Sequence, residues 1–227
     1  MLKAPESTLS TAAPAVCRSC SAQLEEAALF CPHCGKIQPP AGANFFSVFG
    51  LVPRLNLDLG MLEHQFHKLS RKLHPDRFAR AGENEKEWSL AQSSLLNDAY
   101  RTLKEPLTRT YYLLKLHGAE IGEEFAGKDK KDPSRVPADL LEEVFELNMA
   151  LEEVRSGDES ARPQLEEAEA NFTQMMSEIG QQLETLFAKY DAAPSRETLG
   201  EIRGVLNRRK YIQNLVNEVH TQLAPTN

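Results

Sequence analysis

Apolar residues fall at Leu59, Leu62, Phe66, Leu69 and Leu73, in steps of three and four, and the run meets Pro75 two residues later. That spacing predicts a helix with one narrow apolar seam. Pro75 dictates where it ends, because proline offers no amide hydrogen and its ring bars the residue before it from helical backbone. Asp58 stands at the head of the run, where a carboxylate caps free N–H groups, and His64, His67, Lys68, Arg71 and Lys72 occupy the other faces. Arg77 to Asn84, with Gly82, reads as a polar loop. A second periodic run, Trp88, Ala91, Leu95, Leu96, Ala99 and Leu103, stops before Pro106. The simplest fold for this stretch is an antiparallel helical hairpin with a loop of about ten residues.

Strands have little to build from: aromatic residues make up 7% of the chain and alternating Val/Ile/Thr runs are almost absent. A mostly α fold follows. At 227 residues and 41% hydrophobic, the chain has room for one or two small cores and an appendage. The opening MLKAPESTLSTAAPAV has one Lys, no Arg and no hydrophobic segment, which argues against a secretory signal; residues 1–14 read as a disordered lead-in. No apolar run approaches the ~18 residues that span a bilayer, so no membrane association is expected. The net charge of −7 is unevenly spread. His64 to Arg80 holds five Lys/Arg (Lys68, Arg71, Lys72, Arg77, Arg80) against one acid, Asp76, whereas Asp139 to Lys189 holds thirteen acids against three bases. The second balance disfavours nucleic acid, and the first suits an acidic protein partner.

All four cysteines lie near the front, as Cys17-Arg-Ser-Cys20 and Cys31-Pro-His-Cys34-Gly35. Two thiolates two residues apart grip one ion from a single tight turn, Gly35 can supply a positive φ, and two such turns complete a tetrahedron. Structural disulfides and redox-active pairs are the alternatives, disfavoured by the missing export signal and the missing βαβ context. The expected cofactor is a structural Zn2+ in a zinc-ribbon-like β module over residues 15–40; iron on the same four sulfurs stays open. His33 reads as a spacer.

Residues 119–137 lose periodicity and fill with charge, Gly and Pro, as a linker does. Pro137 suits a first helical turn, and three periodic segments follow, 138–156, 160–190 and 195–222, with stops at Gly157, Pro194 and Pro225 and Ser195 as an N-cap. They predict a three-helix bundle over 138–223. The first of them carries two stripes: Leu140, Val144, Leu147, Leu151 and Val154 make a core seam, and Leu141, Phe145 and Met149 a second stripe about 100° away. Either the bundle buries both stripes or the second one meets a partner. In the last helix Leu199, Ile202, Val205, Leu206, Ile212, Val216 and Val219 read as core, leaving Tyr211 beside Arg208, Arg209 and Lys210.

Asn44-Phe45-Phe46-Ser47-Val48-Phe49-Gly50-Leu51, the seamed basic helix, His74-Pro75-Asp76 and the helix ending Asn97-Asp98-Ala99-Tyr100-Arg101-Thr102-Leu103 resemble, in that order, a J-domain over residues 44–118. Phe78 and the stretch Pro106-Leu107-Thr108-Arg109-Thr110-Tyr111-Tyr112-Leu113-Leu114-Lys115-Leu116-His117-Gly118 narrow the resemblance to the HscB family of J-type co-chaperones. The resemblance implies a DnaK/HscA-type chaperone ATPase bound through His74, Pro75, Asp76, Lys68, Arg71, Lys72 and Arg77. It implies an IscU-like iron-sulfur scaffold bound through Leu141, Phe145, Glu146 and Met149 on one helix and Lys210 and Tyr211 on another. Glu142 stands where many members are apolar, and Met149 where an acid is common. The family works in the bacterial cytoplasm or the mitochondrial matrix.

The chain is thus expected to be no enzyme itself, since no nucleophile, base and oxyanion donor converge and no phosphate-binding Gly loop appears. A general J-protein for unfolded clients is the alternative, disfavoured by the missing Gly/Phe linker and β-rich client modules. A zinc-ribbon adaptor is the other, disfavoured by the acidic second half. Three roles stand open for the cysteine module: stapling a segment too small to own a core, joining two copies into a homodimer, or sensing oxidants.

Overall fold

The computed structural model describes residues 16–25, 28–40, 42, 44–119 and 140–224. The lead-in, linker residues 120–137 with Pro137, and the stop at Pro225 fall outside them. The expected helical class holds, with α1 (Phe45–Val48), α2 (Leu59–Leu73), α3 (Glu83–Lys104), α4 (Pro106–Leu116), α5 (Leu141–Arg155), α6 (Arg162–Ala192) and α7 (Arg196–Leu223). The chain forms two compact units, one with Leu57–Arg109 and the described residues up to Pro53, the other with Arg54–Asn56 and the described residues from Thr110 on.

In the first unit α2 and α3 form the hairpin. Asp58 caps α2 by accepting from the Met61 amide at 2.9 Å, and Phe66 stacks on Tyr100 with ring centroids 4.1 Å apart. Leu62 and Leu73 are fully buried, but Leu59, at the first position of α2, is exposed. The buried face of α3 runs through Ser89, Gln92, Leu96, Ala99 and Leu103, and Ala91 is exposed. This phase differs from the apolar pattern because two polar residues find partners inside. The loop after Pro75 begins with a 3-10 turn, Pro75–Phe78.

Among the described residues, the ribbon-like β module expected at residues 15–40 is not shown. Strand pairing among the described residues is confined to two isolated antiparallel bridges, Val16 with Gln23 and Phe30 with Ile37. Each bridge closes one cysteine turn, and the turn spends its backbone groups internally. Cys17 N donates to Ala22 O and Ser21 N to Cys17 O, and Cys31 N donates to Lys36 O and Gly35 N to Cys31 O, all at 2.8–2.9 Å. At the second turn the pairing reaches one residue further, with Gln38 N donating to Leu29 O at 3.0 Å.

In the second unit α6 and α7 pack along each other, and α5 lies against both. Leu147 and Leu151, Leu165 and Phe172, and Ile202, Leu206, Ile212 and Val219 fill the interior. Leu215 joins this core and Val216 is only half-buried, a shift of one position from the sequence pattern. Ser195 caps α7 through the Thr198 amide at 3.1 Å, and Gly157 takes φ +95° just past α5. Glu159–Ala161 forms a 3-10 turn, which delays the start of α6 to Arg162. The Asp191 carboxylate, near the end of α6, accepts from the amides of Leu55 and Asn56 at 2.7 Å each. Among the described residues no helix is long and apolar enough to cross a membrane. Asp191→Ala leaves both amides without their charged acceptor and should cost the second unit roughly 1.5–3 kcal/mol, read as a lower urea midpoint with an unchanged slope.

Candidate functional site

The turn that ends α2 is fixed from both sides. His74 takes φ −54° and ψ 127°, the extended backbone that a following proline requires. The break leaves the carbonyl of Leu73, a fully buried residue, without a helical partner. Two hydroxyls of α3 supply one: Ser89 Oγ donates to it at 2.6 Å and Ser93 Oγ at 3.1 Å. Beyond it, the Arg77 amide donates to His74 O at 3.0 Å, and the Asp76 amide donates to His74 Nδ1 at 3.3 Å. Backbone and imidazole thus hold the Asp76 residue, while its side chain stays 91% exposed, 3.5 Å from His74 Nδ1.

Lys68, Arg71, Lys72 and Arg77 are all exposed around this turn, with Arg71 Nε donating to His67 O at 3.2 Å. The seven residues expected to meet a chaperone therefore lie on one contiguous stretch, with one exposed carboxylate at the end of a cationic helix. Ser89 and Ser93 were not singled out from the sequence. The signal was present: stepping back from Leu103, Ala99 and Leu96 at helical spacing leads through Gln92 to Ser89.

The four cysteine sulfurs lie within 4.8 Å of one another. Cys17 Sγ stands 3.6 Å from Cys34 Sγ, and Cys20 Sγ 3.6 Å from Cys31 Sγ. Four sulfurs tetrahedrally placed at about 2.3 Å from one ion would be about 3.8 Å apart, so the donor set fits a metal ion. The two turns match residue for residue, and the position after each second cysteine has a positive φ, +69° at Gly35 as expected and +59° at Ser21. The crowding drives the thiols apart. Amide hydrogen bonds from Cys20 and Ser19 hold Cys17 down to about 6. Cys20, against the Ala22 hydrogen bond that acts to lower it, is pushed up to about 12 by partial desolvation and by the neighbouring sulfurs. Four such thiolates coexist when a cation sits among them. Gln38, buried at 3% exposure, adds an Nε2–H donor 3.4 Å from Cys17 Sγ. His33 is exposed and outside the sulfur cluster.

On α5 the core seam is buried and the second stripe is not: Leu141, Phe145 and Met149 are 47%, 65% and 51% exposed. The bundle therefore does not consume both stripes. Glu146 and Met149 also line a groove of about 460 Å³ between α5 and α6, floored by Leu147, Ala150 and Phe172. Glu143, Glu153 and Glu167 on its walls escaped the sequence reading, since α6 had to be in place to oppose them. Lys210 and Tyr211 are half-buried on α7, which α5 meets through an Arg155–Glu218 ion pair at 3.1 Å. Burial and the Glu218 carboxylate raise the Tyr211 phenol above its ordinary value.

Residues 136–220 match the HSCB C-terminal oligomerisation domain. The iron-sulfur cluster co-chaperone protein HscB of Mus musculus is 34% identical over 197 residues, which cover 86% of this chain and 76% of the mouse protein. A co-chaperone protein HscB homolog of Vibrio vulnificus is 34% identical over 178 residues, 78% of this chain and 94% of that protein. The crystal structure of human co-chaperone protein HscB superposes with a TM-score of 0.65 at 29% identity, covering 93% of this chain and 100% of the human one. Shared sequence across most of both chains, on a shared fold, places this chain in the HscB family of iron-sulfur cluster co-chaperones.

Proposed function

We propose that the chain stimulates ATP hydrolysis by a DnaK/HscA-type chaperone through the His74-Pro75-Asp76 turn, and presents to it an IscU-like scaffold held on α5 and α7. The observation that carries this reading is the Asp76 carboxylate, 91% exposed with His74 as its neighbour at 3.5 Å, anchored through its backbone at the end of the helix that carries Lys68, Arg71 and Lys72. The cationic face of α2 steers the turn toward an acidic surface of the ATPase. Asp76 then competes for an arginine of the chaperone. A charge-assisted hydrogen bond of about 1.5–3 kcal/mol made in only one of two chaperone states shifts their balance roughly tenfold or more. The work is done where clusters are assembled, in the bacterial cytoplasm or the mitochondrial matrix.

For the scaffold, the supporting observation is the unused stripe of Leu141, Phe145 and Met149 with Glu146 beside it. Lys210 and Tyr211 complete the surface from α7. The ion held by Cys17, Cys20, Cys31 and Cys34 is zinc in this reading: a closed four-sulfur site cross-links the two turns and leaves no position for a reacting ligand.

Three outcomes are expected. Asp76→Asn, nearly isosteric at an exposed position, keeps the fold and loses about tenfold or more of the single-turnover stimulation of a DnaK/HscA-type ATPase; stimulation at the wild-type level would refute the mechanism. The Leu141→Ser, Phe145→Ser double variant weakens scaffold binding in calorimetry by about tenfold or more while its circular dichroism and its ATPase stimulation without scaffold stay at wild-type values. Lost helicity there would instead mean that the stripe is core. Elemental analysis of the purified chain returns one zinc ion and no iron; a visible thiolate-to-iron absorption band would reverse that assignment.

A further inference from the structure

The cysteine turns and the His74-Pro75-Asp76 turn lie in the same unit, and a route made of buried polar contacts at its two ends and of the α3 seam between them joins the two. Its first link is Gln38. The side-chain amide donates from Nε2 to Lys36 O at 2.9 Å, Ile37 O at 3.1 Å and Cys17 Sγ at 3.4 Å. Those three acceptors fix its orientation, because a flipped amide would press its oxygen against two carbonyls. The main-chain carbonyl of Gln38 is the second link, accepting from Gln92 Nε2 at 3.3 Å. Gln92 is 2% exposed and belongs to the α3 seam that also holds Ser89 one turn earlier. Ser89 and Ser93 hold the Leu73 carbonyl from which the His74-Pro75-Asp76 turn departs.

Two further observations mark this route. The side-chain oxygens of Gln38 and Gln92 are buried and make no hydrogen bond. Apolar residues of similar size would avoid that cost. On the outside of the same contact, Lys36 pairs with Glu85 at 3.4 Å, and Glu85 accepts from the Gly82 amide that starts α3.

We propose that Gln38 is a positioning residue with two tasks: it stabilises the metal-bearing thiolate of Cys17, and through Gln92 it transmits metal occupancy to α3 and so to the His74-Pro75-Asp76 turn. The cysteine module is then a clamp on the chaperone-facing turn. Loss of the ion moves the Cys17 sulfur and the Gln38 residue that donates to it, the Gln38 backbone carbonyl shifts against Gln92, and the α3 seam that fixes Leu73 loosens. Close packing is what carries such a shift along one face of a helix.

The test uses the full reduced chain, with and without prior removal of zinc by a chelator, and reads amide hydrogen exchange over residues 75–93 together with the rate of metal release. It needs no partner chaperone, so it is independent of the function proposed above. In the wild type, removal of the ion should speed exchange over 75–93 about tenfold or more. Gln38→Leu should release the ion roughly ten- to a hundredfold faster. Gln92→Leu lies outside the cysteine turns; it should release the ion at the wild-type rate while exchange over 75–93 becomes indifferent to metal. Unchanged exchange in the stripped wild type would overturn the proposal without recourse to any variant. Wild-type metal release from a folded Gln38→Leu chain, or a metal effect that persists in Gln92→Leu, would do the same.

Discussion

The carbonyl of Leu73 is where this structure turns. Pro75 removes the amide and the backbone conformation that would have continued α2, and a buried carbonyl left bare at a helix end is costly. Two serine hydroxyls from α3 resolve that cost at 2.6 and 3.1 Å. Because they come from the opposing helix, the same contacts fix how α2 and α3 face each other. The His74-Pro75-Asp76 turn is thereby held by the hairpin as well as by its own three residues.

The second unit solves a different problem. Three helices need only one seam each on α5, α6 and α7 to close a core, and the sequence of α5 supplies more apolar surface than that. Leu140, Val144, Leu147, Leu151 and Val154 are consumed, and Leu141, Phe145 and Met149 remain outside. Exposed apolar residues scattered singly need no explanation, but three on one helical face beside an acid-walled groove make a surface suited to a partner. Membership in a co-chaperone family of cluster assembly gives that surface a context.

The tetra-cysteine segment shows how little secondary structure a metal site requires. Two turns of the same design, each with an internal pair of hydrogen bonds and one positive φ, bring four sulfurs within 4.8 Å. A segment this short has almost no apolar core, with Cys17, Cys31 and Ile37 its buried apolar residues. An ion held by the four sulfurs would contribute folding energy directly, and contacts with α3 group the segment with the helices.

Local chemistry made much of this legible in the sequence. The spacing of Leu62, Phe66, Leu69 and Leu73, the stop at Pro75, the caps at Asp58 and Ser195 and the pairing of the cysteines each depend on neighbours a few residues away. Other features required residues distant in the chain to meet. Helical spacing put Ser89 and Gln92 on the buried face of α3 but did not say what they would bond to, because the acceptors Leu73 O and Gln38 O are placed only by the assembled fold. It equally left open whether the second stripe of α5 would be covered, since that depends on the angle at which α6 and α7 arrive. What the sequence determined alone was where helices begin and end and which residues can hold a metal, because caps, prolines and thiolates act locally. Only the tertiary structure decided which polar groups became interior links and which apolar ones stayed outside, because burial is a property of the assembled neighbours and not of the residue.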